Sequence, residues 1–416
     1  MYQAVIAGLA TAALLLPALA GAQEAPRRIS LDEATAMFAA NSRALRAARA
    51  GADALAAAAR ASGQAPNPTI GTTRESIADG DLRSGETYVM LNQPLRWPWA
   101  SGARSAASRR ASAAGEAGVR ADSLELVHGV RRAYIEAWIA ERRQEVLERS
   151  AAVVRQAQGR AAERFRGGDI SGLDLGRLDL ERVRYDRLAT AGRLAVDSAR
   201  RALGAAILAP DDRSPVAPSA LPGFAPVAGA GADTLRLLAS HPVLRKARAE
   251  LALAEAEARA EASLVLPGPT LTAGYKRQDD GLAGLFVGAS IPVPLFDRRS
   301  GARALATARE VAVAARVGQV ERQVMDAARH AIARHAAAAR LVETAAAADA
   351  PRRDVLGIAL VAYEGGELDL TDLLATATSW RELGALSDEI LAEYWLSRFE
   401  LERALGGSAA LAEDAL

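Results

Sequence analysis

Residues 91–104 read LNQPLRWPWASGAR, and residues 289–303 read ASIPVPLFDRRSGAR. In both, an apolar, strand-like run is broken by two prolines and followed by Ser-Gly-Ala-Arg and a long alanine-rich stretch. Proline removes a ladder donor and fixes φ, so strand pairing stops there. The chain therefore writes one strand-to-helix corner twice, with Pro94, Pro98, Ser101 and Gly102 in the first copy and Pro292, Pro294, Ser300 and Gly301 in the second. Ser101 and Ser300 are expected to cap the helices that follow.

Two further pairs of segments repeat in the same order. The stretch from Asn41 (NSRALRAARAGADALAAAARASGQAPNPTIGTT) is similar to the one from His241 (HPVLRKARAELALAEAEARAEASLVLPGPTLTAG), and ERFRGGDISGLDLGRL at 163–178 is similar to VAYEGGELDLTDLLAT at 361–376. All three pairs share an offset of roughly two hundred residues, the mark of a duplicated unit. The expected division is a first repeat over 23–213, a Pro/Gly/Ala-rich linker over 214–232, a second repeat over 233–407 and a tail over 408–416.

Each unit reads helix, hairpin, long helix, Gly-Gly turn, returning helix. The first helix has Ser30 as N-cap with Glu33 three residues on, then Leu31, Ala34, Met37 and Phe38 at helical spacing, and stops before Pro66 and Pro68. Its counterpart stops before Pro267 and Pro269. In the second hairpin, about 268–294, Leu271, Ala273 and Tyr275 alternate with Thr270, Thr272 and Lys276, and after Asp279-Asp280-Gly281 the alternation resumes. The first hairpin, about 68–95, carries a polar loop ADGDLRSGE. Strands of about ten residues are long enough to cross a bilayer at a tilt. The stretch from Gly102 to Phe165 has no proline and predicts one helix of roughly 95 Å. Its partner from Ser300 to Tyr363 contains Pro351, where a kink or break is expected.

Composition agrees with thin helical walls. Of 416 residues, 51 are Lys or Arg and 50 are Asp or Glu, giving a formal net charge of +1 with the signs interleaved. No basic footprint for nucleic acid stands out. Cysteine is missing altogether, which excludes disulfides, thiol catalysis and a cysteine-linked lipid. The opening MYQAVIAGLATAALLLPALAGAQ predicts a secretory signal over 1–22, cleaved after Ala22. No later run is long and apolar enough to span a bilayer as a helix, so a membrane crossing would use strands.

Two hairpins give four strands, too few to enclose a lumen, and unpaired strand edges in lipid cost several kcal/mol per backbone group. Three copies would supply twelve strands, enough for a closed, water-filled barrel. The expected fold is mainly α with a β-barrel portion.

The signal, the SLDEA start at 30–34, PNPT at 66–69, GPT at 268–270, the two SGAR corners, FRGGDIS at 165–171 and YEGGELDL at 363–370 together resemble the TolC family of outer-membrane efflux proteins, and within it the branch that serves heavy-metal and cation efflux. The resemblance implies a homotrimer in the lipid of the Gram-negative outer membrane, with a 12-strand barrel and an α-helical tunnel through the periplasm. It also implies docking to a periplasmic adaptor, or membrane fusion protein, and to an inner-membrane pump of the RND type. It places the Gly-Gly turns at the periplasmic mouth, as gate and adaptor-docking surface. The residues concerned are Arg166, Gly167, Gly168, Asp169 and Asp174 in the first turn (about 166–172), and Glu364, Gly365, Gly366, Glu367, Asp369 and Asp372 in the second (about 364–370).

From the residues alone these turns are also ordinary loops, with a left-handed glycine and an Asp or Ser capping the returning helix. Gly167 and Gly365 are expected to supply the positive φ. Repeated three times, the six carboxylates would make an acidic mouth favouring cations. Arg166 either pairs with a neighbouring acid or is a helix-end cation favoured by the dipole. Trp97 and Trp99 suit an interfacial aromatic belt as well as local packing, while Arg104 and Arg303 suit solvated helix starts. His128, His241, His330 and His335 do not share a helical face, and no Met or Cys cluster accompanies them, so no metal site is expected. No nucleotide, dinucleotide, hydrolase or metalloprotease motif is present, which argues against an enzyme and against a cofactor. Drug, organic-solvent or type I secretion cargo remains open within this architecture, and a secreted periplasmic coiled-coil scaffold remains open outside it.

Overall fold

The computed structural model describes residues 25–79, 82–208, 212, 214–221, 239–352 and 354–407. The expected signal, most of the linker and the tail lie outside these residues.

The elements run β1 (Arg27–Ile29), α1 (Leu31–Asn41), α2 (Arg43–Gly63), β2 (Thr69–Asp79), β3 (Leu82–Pro94), α3 (Pro98–Gly167), α4 (Gly172–Ile207) and β4 (Val216–Pro218). The second half gives α5 (Pro242–Ala262), β5 (Thr270–Gln278), β6 (Ala283–Ser290), α6 (Ser300–Arg352), α7 (Val355–Gly365) and α8 (Leu370–Ala404).

Ser30 and Glu33 form the capping box: Ser30 Oγ accepts from the Glu33 amide at 3.1 Å and the Glu33 carboxylate accepts from the Ser30 amide at 2.7 Å. Its reach is shorter than expected, because the opening helix is two helices. Ser42 ends α1 with its amide on the Phe38 carbonyl and starts α2 by accepting from the Leu45 amide at 3.1 Å. The second half breaks at the equivalent place, where His241 caps α5 and Pro242 takes the first helical position.

The 70-residue α3 spans about 105 Å. It packs against α2, α4, α5 and α8, while α6 packs against α5 and α8. The helix expected to run from Ser300 to Tyr363 is broken just after Pro351: α6 ends at Arg352 and α7 starts at Val355.

Both hairpins pair with each other, β3 to β5, giving one antiparallel sheet in the order β2-β3-β5-β6. Its ladder runs from Thr69↔Asn92 to Asp79↔Leu82, so most of the expected polar loop is strand. Across β3, β5 and β6, Leu91, Ala273 and Val287 lie side by side, as do Val89, Tyr275 and Leu285. This face is exposed, with Leu285 at 86% and Val287 at 82%. The other face carries polar pairs, among them Lys276 Nζ to Glu86 Oε1 at 2.7 Å and Thr272 Oγ1 to Asn92 Oδ1 at 2.6 Å. Apolar outside and polar inside is the pattern of a barrel wall in lipid.

The largest core cluster joins α1, α3, α4, α6 and α8 around the short strands. The short strands β1 and β4 pair in parallel, and Ile29 and Val216 on them join Phe38, Tyr134, Ile207, Tyr394, Trp395 and Phe399. The Tyr134 hydroxyl reaches the carbonyls of Ile29 at 3.0 Å and Ala220 at 3.1 Å and accepts from the Ser219 amide at 3.2 Å. Among the described residues, no helix is long and apolar enough to cross a membrane.

Candidate functional site: the paired helix tips

Two helical hairpins, α3–α4 and α7–α8, end in turns of identical construction. In the first, the Asp169 amide donates to the Arg164 carbonyl at 2.9 Å and the Gly168 amide to Phe165 at 3.0 Å. In the second, Glu367 donates to Ala362 at 2.9 Å and Gly366 to Tyr363 at 3.1 Å. These are Schellman closures, which need a left-handed residue after the helix. Gly168 and Gly366 supply it, with φ of 84° and 82°. This corrects the expectation for Gly167 and Gly365: each is the last helical residue and has no need of positive φ.

The returning helices are capped by side chains. Ser171 Oγ accepts from the Asp174 amide at 3.1 Å, and Asp369 Oδ1 accepts from the Asp372 amide at 2.8 Å. The Ser171 hydroxyl also contacts Asp174 Oδ2 at 2.7 Å. Of the six tip carboxylates, Asp369 therefore serves α8 and Asp174 serves α4. Glu364 accepts from Gln156 Nε2 at 3.0 Å and lies 3.5 Å from Arg160. Asp169, Glu367 and Asp372 are exposed. Arg166 donates through Nε to the Ala162 carbonyl at 3.3 Å, the helix-end arrangement rather than an acid pair within its own chain.

A shared apolar plug holds both tips at one end of the molecule. Leu178 from the first hairpin packs with Tyr363, Leu360 and Leu373 from the second, over Ala157 and Ala161 of α3. Burial pushes the Tyr363 hydroxyl above its ordinary pKa. Farther up, the Tyr185 hydroxyl meets Thr378 Oγ1 at 3.2 Å, and Arg142 reaches the buried Asp388 at 3.2 Å. These contacts, and those of Gln156 and Arg160 with Glu364, carry no local sequence signal, because their partners lie far along the chain.

At the opposite end the corners are built as strand stops, but their serines do not cap. Pro98 starts α3 behind Trp97, so Ser101 already donates its amide to the Trp97 carbonyl at 3.0 Å and Gly102 is helical. Pro lacks the amide that a cap would have satisfied, which lets the helix begin early. Beyond Pro292 and Pro294, α6 starts at Ser300 itself, followed by Gly301. Arg299 accepts the first helical bond, from the Arg303 amide at 3.0 Å. Trp97 and Trp99 stack with centroids 4.9 Å apart, and Trp97 Nε1 donates to the Pro267 carbonyl at 3.0 Å. Gly268 is required here, since a Cβ would lie 2.0 Å from the Leu95 oxygen.

The histidines are dispersed among structural roles. His128 contacts Glu400 at 3.3 Å, His335 contacts Ser397 at 3.2 Å, and His241 is a helix cap. Among the described residues, no group of three or more His, Cys, Asp or Glu side chains is placed to hold a metal.

A sheet with one lipid-compatible face, joined to helices several times longer than a bilayer is thick, defines a barrel-and-tunnel channel subunit. The family model for outer membrane efflux proteins matches residues 235–407, and the whole chain carries the TolC-like channel fold. CusC is 17% identical with a TM-score of 0.74, over 94% of this chain and 96% of that one. The CmeC outer membrane channel of Campylobacter jejuni is 14% identical with a TM-score of 0.77, over 91% and 85%. The open-state MtrE channel of Neisseria gonorrhoeae is 17% identical with a TM-score of 0.72, over 91% and 89%. No curated protein matches the sequence. The family match in the second half and the fold over the whole chain agree on a subunit built like an outer-membrane efflux channel.

Proposed function

We propose that three copies of this chain form one passive duct, the outer-membrane component of a tripartite efflux system. A periplasmic adaptor and an inner-membrane RND-type pump would deliver cargo to its tips. The observation that carries this reading is the four-stranded sheet whose end strands β2 and β6 each have one edge without a partner strand among the described residues. In lipid such edges must be paired, and three sheets of four provide a closed twelve-strand wall.

Heavy-metal cations are the cargo class we favour, from the sequence resemblance to the metal-efflux branch and from the exposed Asp169, Glu367 and Asp372 at the mouth. The engagement of Asp369 and Asp174 as caps, and of Glu364 with Arg160, favours the second reading, a mouth with little charge preference that passes drugs or solvents.

The natural chain has no cysteine, so single cysteines placed on β2 and β6 give clean crosslinks. Trimers crosslinked between these strands, in outer-membrane fractions, are the expected result; a folded monomer in mild detergent overturns the duct. Loss of metal tolerance on gene deletion, restored by the wild-type chain, tests the cargo separately.

A further inference from the structure

At the end of the sheet away from the helices, charge is sorted by face. Arg74 and Glu75 are neighbours in β2 and therefore point to opposite sides of it. On the outer side, just beyond the apolar rows, Arg74 and Arg277 flank Thr87 from the two adjacent strands, and Arg74 meets Asp279 at 4.0 Å. On the inner side, one rung further along, Glu75 stands directly opposite Glu86.

Glu86 is fully engaged. Lys276 Nζ lies 2.7 Å from its Oε1, and the Gln278 amide and the Tyr88 hydroxyl both donate to the same carboxylate. The Lys276 ammonium also sits over the Tyr88 ring, 5.4 Å from its centroid. Glu75 is exposed and has no hydrogen bond or ion pair among the described residues. Like charges directly opposite destabilise a strand pair, so within one chain the second glutamate brings cost without return. By the alternation of the four strands, Glu75, Glu86 and Lys276 are the charged side chains of the inner face among the described residues. Glu86 and Lys276 cancel, and Glu75 is left over.

Closing the wall with further copies does not neutralise it. The strand that would pair with the free edge of β2 is β6 of the next copy, and β6 reads AGLFVGAS, without a charged residue. Whatever the register across that seam, β6 brings no cation to Glu75. We infer that Glu75 makes the outer end of the barrel lumen selective for cations over anions: three copies would set three uncompensated carboxylates at one level of a water-filled bore, at the opposite end of the molecule from the helix tips. A carboxylate ring in a low-dielectric wall raises the local concentration of cations and lowers that of anions. This selectivity rests on the three-copy duct proposed above, and it assigns to the barrel a discrimination that is independent of the tips.

The test is the reversal potential of the purified full-length channel in planar bilayers under a KCl gradient. Wild type is expected to prefer potassium to chloride, and Glu75→Gln to lower that preference about two-fold or more. Removing the like charge opposite Glu86 should let the melting temperature hold or rise at the same time. The chain has no cysteine, so Glu75→Cys can be recharged in the folded channel: an anionic methanethiosulfonate should restore potassium preference and a cationic one should abolish it. A preference that ignores the charge at position 75, in trimers that conduct, overturns the ring and leaves the duct standing. A lower melting temperature of Glu75→Gln with unchanged selectivity makes the residue structural and also overturns the ring. Protein that stays monomeric and conducts nothing defeats the duct, and the ring falls with it.

Discussion

Gly168 and Gly366 occupy the same position in two copies of one turn, with φ of 84° and 82°, each followed by an amide that reaches back five residues. Their neighbours Gly167 and Gly365 are helical, and a Cβ on Gly365 would meet nothing within 4 Å. The pairs therefore separate by substitution. Gly168→Val or Gly366→Val forces a branched side chain into left-handed backbone at about 1–3 kcal/mol or more, and should lower the melting temperature and weaken adaptor pull-down. Gly365→Ala should leave both at wild-type values. Equal tolerance at 365 and 366 would mean that the turn does not depend on its left-handed residue.

Charge at the helix tips can be varied without loosening the turn. Asp369 is both a carboxylate and the cap of α8, and asparagine keeps the capping oxygen. Asp369→Asn and Asp372→Asn should therefore preserve stability while changing single-channel conductance and its block by multivalent cations in planar bilayers, an effect that shrinks with added salt. Asp369→Ala should cost about 0.5–2 kcal/mol in addition, through the lost cap. Unchanged conductance and block in both Asn variants would take the permeation path away from these tips.

Much of this architecture is legible because it is written in local chemistry and written twice. Prolines stop strands, the Gly-Gly pair ends helices, and Ser30 with Glu33 announces a capping box. Features that depend on partners far along the chain are not legible. The strands β1 and β4 are three residues each, too short to show alternation, and pair across the length of the first repeat. The β3–β5 ladder joins two hairpins that each look self-contained in sequence. The break at Ser42 passes unnoticed because alanine-rich sequence runs smoothly through it. Ser101 misleads for the opposite reason: it has the residue type of a cap, but Pro98 has already started the helix.

Tyr134 is completely buried, and its hydroxyl ties the carbonyls of Ile29 and Ala220 to the amide of Ser219. Tyr134→Phe keeps the ring and removes these bonds; the Ser219 amide stays on the Ile29 carbonyl at 2.8 Å, while the Ala220 carbonyl loses its tyrosine donor. Such a deletion costs about 1–3 kcal/mol. The expected readout is a lower denaturation midpoint, with faster hydrogen exchange confined to 27–29 and 216–219. An unchanged midpoint would mean that the short sheet holds without its tyrosine bridge.

The response to acid turns on which nitrogen of His241 carries hydrogen. Nδ1 accepts from the Val243 amide at 3.3 Å to cap α5, so Nε2 bears the hydrogen and meets the Arg403 carbonyl at 3.2 Å. A second proton would sit on Nδ1, facing the amide it now accepts from, beside the Arg403 charge and with Glu125 as the acid in its field. Burial pushes the His241 pKa below its ordinary value, and His128 and His335 shift the same way for the same first cause. A depressed histidine pKa means that the unfolded chain binds the proton first. Stability is then complete above about pH 6.5 and is lost progressively as pH falls below it. Wild type should therefore melt lower at pH 5 than at pH 7.5. His241→Asn retains an N-cap oxygen and cannot titrate, so it should flatten part of that loss while costing about 1 kcal/mol at pH 7.5 for the missing Arg403 bond. Equal slopes in wild type and variant between pH 7.5 and pH 5 would remove His241 from the acid response and leave it to His128 and His335.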